Sequence, residues 1–258
     1  MKSSYIPFLQ CYRLLCVVLC AGLSVMPAVQ AELNSEPRTK PMQMPSFKIS
    51  YVPPNVGAPT RRVGAGTRGK VCNEANMISE SFKIVALGPV MTGYTLSAQP
   101  VLYWSINQAV QGDFIFTINP LSSDAEAFSL YEPLLDETRQ LSLQAGIHAF
   151  KLSDYAIELK TKQEYEWSVT LVCDNKMPSL NLSATGSIQR IAPSQGLLAQ
   201  IKSTSEQQQP YLYARSGIWY EALQSLSQLI ENVPDSRQLK KIRHNLLQQE
   251  KLDLPIHY

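Results

Sequence analysis

Tyr165-Glu166-Trp167-Ser168-Val169-Thr170-Leu171-Val172-Cys173 is the stretch that decides the fold class. Its odd-numbered residues are aromatic, aliphatic or sulfur-bearing, and all but one of the residues between them are polar. Successive side chains of an extended strand point to opposite faces. Tyr165, Trp167, Val169, Leu171 and Cys173 therefore share one face, and the pattern predicts a strand of a half-buried sheet.

Working outward, the same period of two recurs in short runs. Residues 113–118 read D-F-I-F-T-I, with Phe114, Phe116 and Ile118 on one face, and 101–106 read V-L-Y-W-S-I. Further runs lie at 47–52, 82–87, 127–131, 139–143, 147–152 and 180–191. Turn pairs separate them: Gly88-Pro89, Gln111-Gly112, Asn119-Pro120, Ala145-Gly146 and Asp174-Asn175. Many short strands at this spacing predict an immunoglobulin-like antiparallel β-sandwich over 47–192.

After Pro193 the period changes to that of a helix. A short helical turn is expected over 196–202, then a polar linker, S-T-S-E-Q-Q-Q, over 203–209. A longer helix is expected over 211–232, with Leu212, Trp219, Leu223, Leu226 and Ile230 on its apolar stripe. Pro234 stops it. Asp235 or Ser236 is placed to cap a second helix with the stripe Leu239, Ile242 and Leu246. Residues 193–258 thus read as a helical hairpin appended to the sheets.

The N-terminus carries Lys2 and Arg13, an apolar run from Leu14 to Val25, and Val29-Gln30-Ala31 before Glu32. This order of base, apolar run and small-residue site is that of an export signal, with cleavage expected between Ala31 and Glu32. The run is shorter than the ~20 residues a membrane span needs. Residues 32–46 read as a flexible leader. The expected location is the periplasm or the exterior of the cell.

Cleavage removes two bases and leaves a chain with equal numbers of acids and bases. Its overall charge then gives no reason to expect nucleic acid or acidic lipid as a partner. Cleavage also leaves two of the five cysteines, Cys72 and Cys173. A pair in an oxidising compartment is expected to bridge.

Most familiar chemistries do not assemble. The three histidines, His148, His244 and His257, have no metal-pair spacing. No G-x-S-x-G elbow occurs. Glu132, Asp136 and Glu137 read as a solvated loop, and Tyr211, Tyr213, Trp219 and Tyr220 as packing between helix and sheet. Gly64-Ala65-Gly66-Thr67-Arg68-Gly69 matches a dinucleotide fingerprint literally but lacks the amphipathic helix that should follow. No cofactor is expected. The same loop gathers Arg61, Arg62, Arg68 and Lys70 with no acid between them. Guanidinium forks and backbone N–H groups there are the expected contacts for a carboxylate or phosphate.

P-P-N-V-G-A-P-T-R-R-V-G-A-G-T-R-G at 53–69, followed by Cys72, resembles the pattern of the domain of unknown function 928 family. Ala65 departs from it by replacing the middle glycine. Further matches are Tyr165-Glu166-Trp167 leading to Cys173-Asp174, Gly186-Ser187-Ile188-Gln189-Arg190, and Gly217-Ile218-Trp219-Tyr220-Glu221-Ala222-Leu223. The resemblance covers about 50–252 and implies an exported bacterial protein of a group best represented in cyanobacteria. It marks the loop and both cysteines as family features and implies no catalytic residue or cofactor.

The expected function is that of an exported cell-envelope accessory protein, a non-enzymatic module binding a protein or an anionic polymer. Two alternatives stand beside it: an envelope hydrolase acting on peptidoglycan or polysaccharide, and a periplasmic ligand sensor for a membrane partner.

Overall fold

Alternating burial organises the described residues into eight strands, and a change to helical periodicity adds four helices. A computed structural model describes residues 48–54, 78, 81–121, 132–255 and 258. The strands are β1 (Ile84–Ala86), β2 (Gly93–Thr95), β3 (Val101–Ile106), β4 (Val110–Pro120), β5 (Leu135–Leu143), β6 (Gly146–Lys151), β7 (Glu164–Leu171) and β8 (Leu182–Arg190). They form a three-stranded sheet, β1-β3-β6, and a five-stranded sheet, β2-β8-β7-β4-β5. The helices are α1 (Gln195–Ser203), α2 (Gln209–Arg215), α3 (Trp219–Asn232) and α4 (Arg237–Gln249).

β7 lies at the centre of the larger sheet, between β4 and β8. Tyr165, Trp167, Val169 and Leu171 are buried, and Cys173 just beyond the strand is buried on the same face. The register sets Phe116 opposite Val169 and Ile118 opposite Trp167. On the other face the pairs are polar. Thr117 and Ser168 share a hydrogen bond of 2.7 Å, as do Thr170 and Ser183. Cross-strand pairs of this kind reinforce the ladder from the wetter side.

The two sheets share one hydrophobic core. Trp104 of β3 meets Phe114 and Phe116 of β4 at ring separations of 5.3 and 6.1 Å, and Phe150 of β6 stacks on Phe116 at 4.3 Å. All six residues of β3 are buried, because that strand is covered on both faces. Trp104 faces the larger sheet, while Tyr103 borders a cleft shared with α3 and α4. Each buried aromatic or aliphatic side chain contributes roughly 1.5–3 kcal/mol. β5 is an edge strand. It carries Asp136, Glu137, Arg139 and Gln140, and charged side chains discourage strand addition there.

Three expectations need correction. The sheets are not wholly antiparallel, since β2 runs parallel to β8, with Tyr94 opposite Gln189. Residues 48–52 alternate like a strand, with Ile49 and Tyr51 buried, but join neither sheet. Their backbone bonds to helices instead. Tyr51 N donates to Gln249 Oε1 at 2.9 Å, Gln249 Nε2 donates to Ile49 O at 3.2 Å, and Val52 N donates to Ala214 O at 3.1 Å.

The helix expected over 211–232 is in fact two, broken at Ser216-Gly217. Gly217 adopts φ +76°, which costs a glycine little. Its N–H donates to Ala214 O and that of Ile218 to Tyr213 O, the paired bonds that close a helix at a left-handed glycine. A Cβ there would stand 3.0 Å from Val52 O. The expected cap at Ser236 is present, its hydroxyl accepting from Leu239 N at 3.3 Å. The run expected over 127–131 lies outside the described residues.

Candidate functional site

The sequence placed its candidate contacts in the loop of Arg61, Arg62, Arg68 and Lys70. That loop lies outside the described residues, as do Cys72, His257 and the Ala31–Glu32 junction. Cys173 is described. It is buried at the end of β7, and its N–H donates to Asn181 Oδ1 at 2.9 Å. Among the described residues no group of three or more His, Cys, Asp or Glu is placed to hold a metal ion. Asp136 and Glu137 lie on the edge strand β5, with Glu137 paired to Arg139 at 3.4 Å.

The block Gly217-Ile218-Trp219-Tyr220-Glu221 fastens α3 to the sheets. Trp219 Nε1 donates to Leu87 O at 2.8 Å. Trp167 Nε1 donates to Tyr220 Oη at 2.8 Å, and Tyr220 Oη donates to Ser187 O at 2.9 Å. The two rings have room only because glycines lie beside them. A Cβ on Gly186 would stand 2.7 Å from Trp167, and one on Gly93 would stand 2.7 Å from Tyr220. Glu221 Oε1 accepts from Thr95 Oγ1, Leu96 N and Ser97 N at 2.7, 2.7 and 2.9 Å. Its Oε2 is shielded and has no partner. Burial raises the carboxyl pKa, against the pull of those three donors. The expectation that Trp219 and Tyr220 pack a helix on a sheet agrees with these contacts.

A second set of polar groups converges elsewhere. A cleft of about 800 Å³ lies where β3 and β6 meet α3, α4 and Tyr258. Arg243 is its most buried charge, 7% exposed. The helical period puts it on the inner stripe of α4, among Leu239, Leu246 and Leu247. Its guanidinium bonds to the main-chain oxygen of Tyr258 and, at 3.4 Å, to Ser227 Oγ. Burial lowers its pKa, while Tyr103 and Glu231 act the other way. Tyr103 borders the same cleft, its phenol pushed up to about 12 chiefly by burial, so it is a neutral donor.

His148 lies on β6 at the cleft wall. Its ring sits 5.0 Å from that of Trp104, and Nε2 lies 2.9 Å from Gln144 O. Burial lowers its pKa, partly offset by that carbonyl, so the imidazole is mainly neutral at pH 7. Lys240 and Glu231 stand at the rim. A buried guanidinium has five donors in a rigid fork and a desolvation cost of several kcal/mol, which an anionic ligand offsets. The arrangement can hold a carboxylate or similar group beside neutral donors. Sequence reasoning missed Arg243, although a base four residues after Leu239 on an apolar stripe was the available signal.

No curated protein matches the chain. A family model does, over residues 63–256, which is about three quarters of the sequence. The matched span takes in the arginine- and glycine-rich loop from Val63 onward, Cys72 and Cys173, the α3 block and Arg243. The chain belongs to the family described as Domain of Unknown Function (DUF928).

Proposed function

We propose that the protein is an exported cell-envelope accessory module that binds an anionic group on a protein or polymer without transforming it. The observation that carries this reading is the Arg243 cleft. A buried guanidinium, bonded to the main-chain oxygen of Tyr258 and to Ser227, borders an open cavity of about 800 Å³ with neutral Tyr103 beside it. Convergent polar groups in a largely apolar concavity favour ligand binding. The aromatic and acidic residues of the α3 block are already engaged in helix docking. The loop of Arg61, Arg62, Arg68 and Lys70 is a further anionic contact in this reading, and Cys72 and Cys173 form a bridge.

The finer fold assignment is part of the same proposal. Two sheets meeting across a core with Trp167 on a central strand support an immunoglobulin-like sandwich. Such a frame holds α3 and α4 rigidly against β3, and so fixes the cleft.

Site-specific photocrosslinking in the native envelope tests the function. A photoreactive residue replaces Ala149, exposed at the cleft wall, and in a second variant Met177, exposed elsewhere. The expected result is a discrete adduct from position 149 that is absent at 177. Equal labelling at both positions, or none at 149, contradicts the proposal.

A further inference from the structure

A second cavity, of about 460 Å³, is lined by Lys48, Ser50, Thr204, Gln208, Tyr211 and Arg215. None of these six is acidic, and every one carries a hydrogen-bond donor. Their placement follows from the fold. Burial of Ile49 and Tyr51 turns Lys48 and Ser50 outward, and the bonds to Gln249 and Ala214 hold that segment in place. Thr204 caps the end of α1 and Gln208 the start of α2. Arg215 is the last residue of α2, fixed by the turn at Gly217.

The donors are largely uncommitted. Lys48 and Arg215 are exposed and neither forms an ion pair among the described residues. Thr204 Oγ1 is already bonded to Gln200 O at 2.6 Å, which leaves the ammonium, the guanidinium, the Ser50 hydroxyl and the Gln208 amide. Tyr211 adds an anomaly. Its hydroxyl is shielded from water and has no hydrogen-bond partner among the described residues. Burial raises its pKa, so it remains a donor without an acceptor. An unsatisfied buried donor costs about 1–3 kcal/mol.

A tetrahedral oxyanion has the chemistry this lining lacks. It offers several acceptor oxygens in different directions and a charge that two cations neutralise. A planar carboxylate offers fewer. We propose that this pocket binds a phosphate or sulfate group. The inference goes beyond the Arg243 cleft, which shares none of these six residues.

Isothermal titration of the purified protein with inorganic phosphate, inorganic sulfate and acetate tests it. Three forms are compared: wild type, Lys48→Gln/Arg215→Gln and Arg243→Lys. The expected result is saturable, one-to-one binding of phosphate or sulfate to wild type. The double variant should weaken it at least about tenfold, since two charge-assisted bonds are lost, and Arg243→Lys should leave it unchanged. The relative affinities distinguish a phosphoryl from a sulfuryl ligand. Both altered cations are exposed, so circular dichroism of the double variant should match wild type. Three outcomes overturn the inference: no saturable heat with either tetrahedral anion, undiminished binding in the double variant, or acetate binding that is as tight as either and is weakened equally by the double variant. If Arg243→Lys alone abolishes binding, the anion sits in the cleft and this pocket is not the site.

Discussion

Replacing Tyr220 by phenylalanine removes a single oxygen that serves two buried partners. In the wild type it accepts from Trp167 Nε1 at 2.8 Å and donates to Ser187 O at 2.9 Å. Both rings are at least 98% buried, and the ring of Tyr220 packs against Gly93. No water-sized substitute is expected to enter. The loss leaves the indole N–H without its acceptor, at about 1–3 kcal/mol. Ser187 O loses one bond, worth roughly 0.5–1.5 kcal/mol. Removing the hydroxyl's own desolvation offsets part of this. The expected destabilisation is about 2–3 kcal/mol, or a fall in Tm of roughly 5–10 °C for a domain of this size. Urea unfolding followed by tryptophan fluorescence and circular dichroism measures it, with Tyr213→Phe as control. A loss under about 1 kcal/mol for Tyr220→Phe, or an equal loss for Tyr213→Phe, refutes the docking role of this relay.

Four further outcomes are expected. Gly186→Ala drives a methyl to 2.7 Å from an immobile Trp167 ring, so it should cost about 1–3 kcal/mol or more by overpacking. Gly196→Ala, which meets nothing within 4 Å, should be neutral or stabilising in the same unfolding assay. Glu221 titrates with a raised pKa in the folded state. Its stabilising contribution is therefore full below the unfolded carboxyl pKa and is lost as pH rises through the folded value. Wild type should lose stability relative to Glu221→Gln between acid and neutral pH, and the opposite slope in urea midpoints against pH contradicts the assignment. Cys72 and Cys173 are expected to bridge. Intact mass after alkylation should show no free thiol, and Cys72→Ser should cost about 2–4 kcal/mol.

The sheets were legible because the sequence period matches a half-buried strand. The odd positions of 165–173 and the run Phe114, Phe116, Ile118 face the core as expected. Residues 48–52 carry the same signal and join neither sheet, because alternation records which side is buried and not what accepts the backbone hydrogen bonds. The parallel strand β2 was not anticipated. Gly93-Tyr94-Thr95 is too short for a periodic pattern, and its pairing with β8 is a tertiary fact. The break at Gly217 was hidden because apolar spacing continues across it, from Leu212 to Trp219. Arg243 was not singled out from the other residues of α4. Its burial depends on Tyr103 and Ser227, which lie far away in sequence and are brought to it by packing.

The most direct test of the central claim is calorimetric titration of the purified protein with acidic, neutral and basic envelope-polymer fragments, repeated on Arg243→Lys and Arg243→Met. Arg243→Lys retains the charge but loses the fork. Binding of the acidic fragments only, weakened about tenfold in Arg243→Lys and further in Arg243→Met while both variants keep the native circular dichroism spectrum, is the predicted result. Equal affinity for acidic and neutral fragments, or affinity untouched by either variant, contradicts the assignment of the cleft as an anion-binding site.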